Sequence, residues 1–241
     1  MSSDPSASKI AHRGILLRLA PLFFISGAIA LIYEVVWFRQ LHLVLGVSVF
    51  AVGAVVTAFM LGLALGSYWI AGRDLGRLDR GRPLRMYAAL EAGIGVWGLL
   101  FPAILAGLEL IYIQVFSALS GHAVPLTLVR FILASAILLP PTFLMGATLP
   151  ALTRAVALSA SRPVFGAAWL YALNTAGAVG GTVFAGFFSL ERFGIAGTLR
   201  IAMVLNFLIA AIAWLVPAPR PAVDLFGTSR GGGGGRARGR G

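Results

Sequence analysis

Long apolar runs alternate with short polar segments from Ile15 to Val216. A helix that crosses a bilayer needs about 20 apolar residues. Six stretches reach that length: 16–38, 44–71, 85–113, 124–150, 165–190 and 197–216. Backbone groups in lipid must bond internally, which leaves helices or a closed barrel. Barrel strands read as alternating segments of about 10 residues, far shorter than these runs. The pattern predicts an all-α integral membrane protein, a six-helix bundle. Residues 1–14 form an N-terminal segment, 15–216 the six-span domain and 217–241 a tail. Ala28-Ile29-Ala30 mimics a signal-peptidase site. The apolar run nevertheless continues through Trp37 and five more spans follow, which favours a retained helix.

Composition narrows the function classes. Hydrophobic residues make up 59% of the 241 and charged residues 11%, against about 25% charged in soluble domains. A soluble enzyme and a disordered chain are both excluded. There is no cysteine, so disulfides and thiolate ligands are absent. His12, His42 and His122 are scattered, and neither a metal site nor a cofactor is expected.

The charges are distributed unevenly. Lys9 and Arg13 precede the first span and Arg18 lies in its first turn, while Arg73, Arg77, Arg80 and Arg82 lie between the second and third, with Arg85 at the start of the third. Arg154 and Arg162 lie between the fourth and fifth, and five arginines follow the sixth. The opposite side carries Arg39, Arg192 and Arg200. Basic loops stay in the cytoplasm, so both termini are expected there, in the inner (plasma) membrane. The same bias explains most of the net charge of +11 without a nucleic-acid partner. After Pro217 the chain turns to Gly231–Gly235 and alternating Arg and Gly. That composition reads as a flexible linker or remnant. Arg-rich tails also bind RNA or anionic lipid, but no aromatic residue is interleaved here for base stacking.

Ionisable residues inside a span cost about 2.5–3.5 kcal/mol on insertion scales unless paired or hydrated. Three stand out: Glu34, Arg130 and Glu91. Taking Gly27 and Ile137 as the midpoints of their spans, Glu34 and Arg130 each lie about 10 Å toward the outside at 1.5 Å per residue. An ion pair between them is one expectation, and Arg130 snorkelling alone to the interface is the other. Glu91 has no intramembrane cation at its level. It is expected to bond to Asn174 or Thr142, or to face a water-filled cavity. Pro140-Pro141-Thr142 removes two helical hydrogen bonds near the middle of span four. A discontinuous helix or a simple kink follows.

A shift of 115 residues superposes parts of the two halves. Gly62 and Gly66 fall on Gly177 and Gly181, and Glu91 falls on Asn206. The matches are few and mostly glycine or apolar residues, which chance also supplies. Taken as a repeat, they give two three-helix halves of opposite orientation, an architecture found in transporters. Gly62-x-x-x-Gly66 and Gly177-x-x-x-Gly181 also have a plain role: small residues on one face let helices pack closely.

Four longer segments suggest a family. They are Phe24-Ile25-Ser26-Gly27 through Leu31-Ile32-Tyr33-Glu34-Val35-Val36-Trp37-x-Arg39; Phe59-Met60-x-Gly62-Leu63-Ala64-Leu65-Gly66-Ser67; Pro140-Pro141-Thr142-x-Leu144-Met145-Gly146-Ala147-Thr148-Leu149-Pro150; and Tyr171-Ala172-x-Asn174-Thr175-x-Gly177-Ala178. Over residues 15–216 the chain resembles the membrane module of bacterial fused major-facilitator/spermidine-synthase proteins. The resemblance implies a major-facilitator-like half. It also implies an association with aminopropyl transfer from decarboxylated S-adenosylmethionine to a diamine. That chemistry belongs to a soluble domain with a Gly-rich loop after a strand. No G-x-G-x-x-G follows the last span, and the only acid after residue 191 is Asp224. No catalytic residue is therefore carried over, and the chain is expected to be non-catalytic by itself.

Three functional readings follow. The first is a membrane module that binds or passes a small polar substrate, polyamine-related by resemblance, through Glu34, Arg130, Glu91, Asn174 and Thr142. The second is an anchor or scaffold for a separate synthase subunit, docked through the Arg73–Arg85 loop and the tail. The third is an inactive remnant. The expected partners are the lipid bilayer, a separate synthase and a second copy in a homodimer.

Overall fold

The computed structural model describes residues 5–46, 49–73, 81–119, 121–157 and 163–216. Every element among them is helical: α1 (Pro5–Leu45), α2 (Val49–Ala71), α3 (Arg82–Leu119), α4 (Ala123–Ala157), α5 (Pro163–Phe184), a π-helical turn (Ala185–Ser189) and α6 (Leu190–Leu215). The tail 217–241, the N-terminal tetrapeptide and most of the basic loop after α2 lie outside the described residues.

Five helical stretches are long and apolar enough to cross a membrane: Leu19–Leu45, Val52–Ala71, Arg82–Leu119, Ala123–Ala155 and Val164–Leu215. The expected fifth and sixth spans fall within the last of these, a run of 52 residues. Its axis is interrupted at Gly194, whose φ of 66° and ψ of −176° are not helical and suit a residue without Cβ. The Ser189 and Thr198 hydroxyls meet at 2.9 Å. Nine residues of straight helix would separate them by about 13.5 Å, so the chain bends sharply here.

The outside of the bundle is apolar. Tyr68, Val124, Phe187 and Leu215 are each about four-fifths exposed. In water such a surface would aggregate, whereas in a bilayer it meets lipid. Inside, Tyr33, Trp37 and Phe101 form a continuous stack, with ring centroids 4.6 and 4.9 Å apart.

Glycines set the helix pairing. α2 packs on α4, α1 on α5, and α3 on both α6 and α4. Gly62 lies against Thr142, Gly66 against the Phe143 backbone and, from the other side, Gly146 against the Leu63 backbone. Gly177 and Gly181 meet the backbones of Phe24 and Ala28. At each of these places an added Cβ would strike the neighbouring helix. The small-residue packing expected of Gly62, Gly66, Gly177 and Gly181 is what brings these helices close. Residue numbers rise together along both pairs, so α2 runs parallel to α4 and α1 parallel to α5. Arg154 closes the α2–α4 pair at its other end. Its guanidinium donates to the carbonyls of Ala71, at 2.6 Å, and Arg73, in the cationic position that suits a helix C-terminus.

α4 is not interrupted at Pro140-Pro141, and the helix runs through to Ala157. The prolines forfeit two ladder bonds. The Thr142 hydroxyl then donates back to Leu138 O at 2.7 Å and Leu139 O at 3.3 Å, and α2 buttresses the same turn through Gly62 and Gly66. Of the two expectations for span four, the discontinuous helix does not form there; a non-helical residue interrupts the chain at Gly194 instead.

Candidate functional site

The helices converge on an internal cavity of about 170 Å³, room for roughly five waters at their bulk volume of about 30 Å³ each. All six α-helices line it: Ser26 and Gly27 from α1, Leu63 and Ser67 from α2, Glu91 from α3, Gly146 and Thr148 from α4, Asn174 from α5 and Asn206 from α6.

Glu91 is the only ionisable residue among these lining groups and is 1% exposed. Ser26 Oγ donates to its Oε1 and Asn206 Nδ2 to its Oε2, each at 2.5 Å. Three helices are thereby tied to one carboxyl group. A carboxylate offers about four lone-pair directions, so two donors leave acceptor capacity facing the cavity. Tyr87, one turn before Glu91, is fully buried, with its hydroxyl beside the Glu91 carboxyl and the Ser26 hydroxyl. The Tyr33 hydroxyl and Asn206 Oδ1 are buried and have no hydrogen-bond partner among the described residues. Such groups are uncommon in native interiors and accompany functional or hydrated sites.

Expected and observed partners differ. Glu91 bonds to neither Asn174 nor Thr142. Asn174 does line the cavity, seated over Gly27, where an added Cβ would lie 2.8 Å from Asn174 Oδ1. Thr142 is buried but spends its hydroxyl on its own helix. Ser26 and Asn206 are the partners the sequence did not single out as such. A signal for Asn206 existed: it is the residue onto which Glu91 falls at the shift of 115.

Glu34 and Arg130 are not brought together. Among the described residues no hydrogen bond or ion pair joins them. Arg130 Nε donates instead to the Tyr112 hydroxyl at 2.9 Å, and that hydroxyl donates to Leu45 O at 3.3 Å. Glu34 is partly buried and has no ion-pair or hydrogen-bond partner among the described residues.

No group of three or more metal-ligating side chains occurs among the described residues. Comparison with family models, with curated proteins and with solved structures finds no match.

Proposed function

We propose that the chain is a membrane module that holds a small cationic or hydrogen-bond-donating solute against Glu91, without catalysing a reaction on it. One observation carries the reading: a buried carboxyl, anchored by two side-chain donors, lines a cavity to which every α-helix contributes. A charge in that position is expensive unless it has a task or a partner, and among the described residues no cation lines the cavity with it. The resemblance to the membrane part of spermidine-synthase fusions makes a diamine or polyamine the first ligand to test. An ammonium group would take the free lone pairs of the carboxylate in a charge-assisted bond.

The frame proposed for this site is six crossings in two inverted halves of three, a facilitator-like half. A run of 52 residues, about 78 Å of helix, exceeds a hydrocarbon core of about 30 Å more than twofold, and Gly194 supplies the break. The contacts support the repeat. Gly66 meets Phe143, and Gly181 meets Ala28, the same pair 115 residues on with the halves exchanged. Glu91 and Asn206, 115 residues apart, bond to each other, as equivalent residues on a two-fold axis would. The basic asymmetry puts both termini in the cytoplasm of a bacterial inner membrane. Reporter fusions at Ser120 and at the C-terminus should then lie on opposite sides, and the same side for both refutes this frame.

Binding is tested with the full chain in lipid nanodiscs, titrated with putrescine and spermidine. Saturable binding is expected, weakened by about tenfold or more in Glu91→Gln, which loses a charge-assisted bond of about 1.5–3 kcal/mol. Equal affinity of the two forms removes Glu91 from the site, and no saturable binding to either amine sinks the cationic-ligand reading. With decarboxylated S-adenosylmethionine added, no aminopropyl transfer is expected. Product above background would overturn the non-catalytic part.

A further inference from the structure

A second concavity of about 670 Å³ opens between the first turns of α2 and α4. Its walls are apolar or small, with Gly53, Thr57, Leu128 and Phe131 among them, and Arg130 is the only charged residue lining it among the described residues. We infer that this groove binds one membrane phospholipid, its acyl chain along α2 and α4 and its phosphate on Arg130. The inference is independent of the Glu91 cavity.

Depth is the first argument. A hydrocarbon core is about 30 Å thick. Arg130 and Arg154 are 24 residues apart on α4, about 36 Å at 1.5 Å per residue, so the two arginines bracket a core of that thickness and Arg130 stands at the boundary where phospholipid phosphates begin.

Bonding capacity is the second. A guanidinium has five N–H donors. The Nε donor of Arg130 is committed to Tyr112. Its two terminal amino groups have no acceptor among the described residues and no carboxylate pairs with them. Those two groups present the planar fork that takes a phosphate through two parallel bonds. The bond to Tyr112, itself tied to Leu45 O, fixes the direction of the fork.

Shape is the third. Gly53 faces open space, with nothing within 4 Å of an added Cβ, unlike Gly62 and Gly66 on the same helix. Val124 and Leu128 on the rim are strongly exposed. The volume is within the usual range for small-molecule sites, about 300–1,000 Å³. A second copy fits less well, because a two-fold contact repeats the same patch on both partners and would bring two Arg130 side chains to one place.

The test is native mass spectrometry of the full chain, delipidated in a mild non-ionic detergent. Phosphatidylglycerol, phosphatidylcholine and diacylglycerol of equal chain length are titrated in turn. One lipid is expected per chain, with both phospholipids preferred to diacylglycerol by about tenfold, the worth of a charge-assisted bond. Arg130→Gln should erase that preference, and Arg130→Lys should weaken it while retaining some. Gly53→Leu fills open space, so the variant keeps its fold and should lower the binding of all three lipids. A phospholipid preference unchanged in Arg130→Gln overturns the proposal. Should that variant not fold, an unchanged preference in Arg130→Lys together with unchanged binding in Gly53→Leu does so. Full displacement by inorganic phosphate would mean an anion site and not a lipid site. A dimer abolished by Gly53→Leu, with no lipid adduct, would mean that a second copy covers the groove.

Discussion

The Glu91 cavity and the Arg130 groove are two answers to one problem, a charged side chain in an apolar bundle. Glu91 lies where all six α-helices meet, and its oxygens are held by Ser26 and Asn206 from two other helices. Arg130 stands near the membrane boundary, is only partly buried and is held by one tyrosine. The backbone differs in the same way. Around the cavity, glycines of α2 touch α4, and glycines of α5 touch α1. Near the groove, Gly53 of the same α2 touches nothing. Depth decides the difference. At the centre a charge must be satisfied by protein or by what the cavity admits, because headgroups do not reach it. At the boundary a long side chain can leave part of its bonding capacity to the membrane.

The sharpest break of this comparison is between two glycines of one helix. Gly66→Leu drives a side chain into the Phe143 backbone, which cannot yield as a side-chain tip can. It should cost about 3 kcal/mol or more, the upper end of overpacking, or prevent folding altogether. Gly53→Leu should change stability by about 0.5 kcal/mol or less, as for a substitution that meets no neighbour. Thermal unfolding in detergent compares the two. Equal effects would mean that the α2–α4 contact is not tight where it is drawn.

A smaller contrast comes from truncating the two charged side chains. Glu91→Ala leaves Ser26 and Asn206 without their acceptor in a closed interior and should cost about 2–4 kcal/mol. Arg130→Ala leaves only Tyr112 short of a donor, and that hydroxyl still reaches Leu45 O. About 1 kcal/mol is expected, the size of one hydrogen bond. A reversed order of the two unfolding temperatures would contradict the assignment of Glu91 to the centre.

The smallest expected effect is a coupling close to zero. Glu34 and Arg130 share no contact, so the double change to alanine should equal the sum of the single changes within about 0.5 kcal/mol. A larger coupling would restore the ion pair.

Most of the architecture was legible in the chain. The apolar runs gave the helical class, and the small-xxx-small spacings of Gly62/Gly66 and Gly177/Gly181 marked the close contacts that form. These features are local: hydrophobic length and residue size act through the helix that carries them. Glu91, too, could be singled out, since an acid within a long apolar run is conspicuous wherever its partners lie. Those partners were not legible. Ser26, Asn206 and Glu91 belong to three helices, and pairing across helices depends on rotation and depth that no single run contains. The Glu34–Arg130 expectation failed for that reason. It matched depths along two runs, whereas Arg130 bonds to Tyr112 on a third helix. Proline chemistry likewise marked α4 for a break, yet packing by α2 and the Thr142 hydroxyl keep that helix whole, while the interruption falls at Gly194. Sequence fixed the inventory of helices and buried charges, because each is written in consecutive residues. Only the tertiary packing decided which polar groups meet, because that depends on how the helices sit against one another.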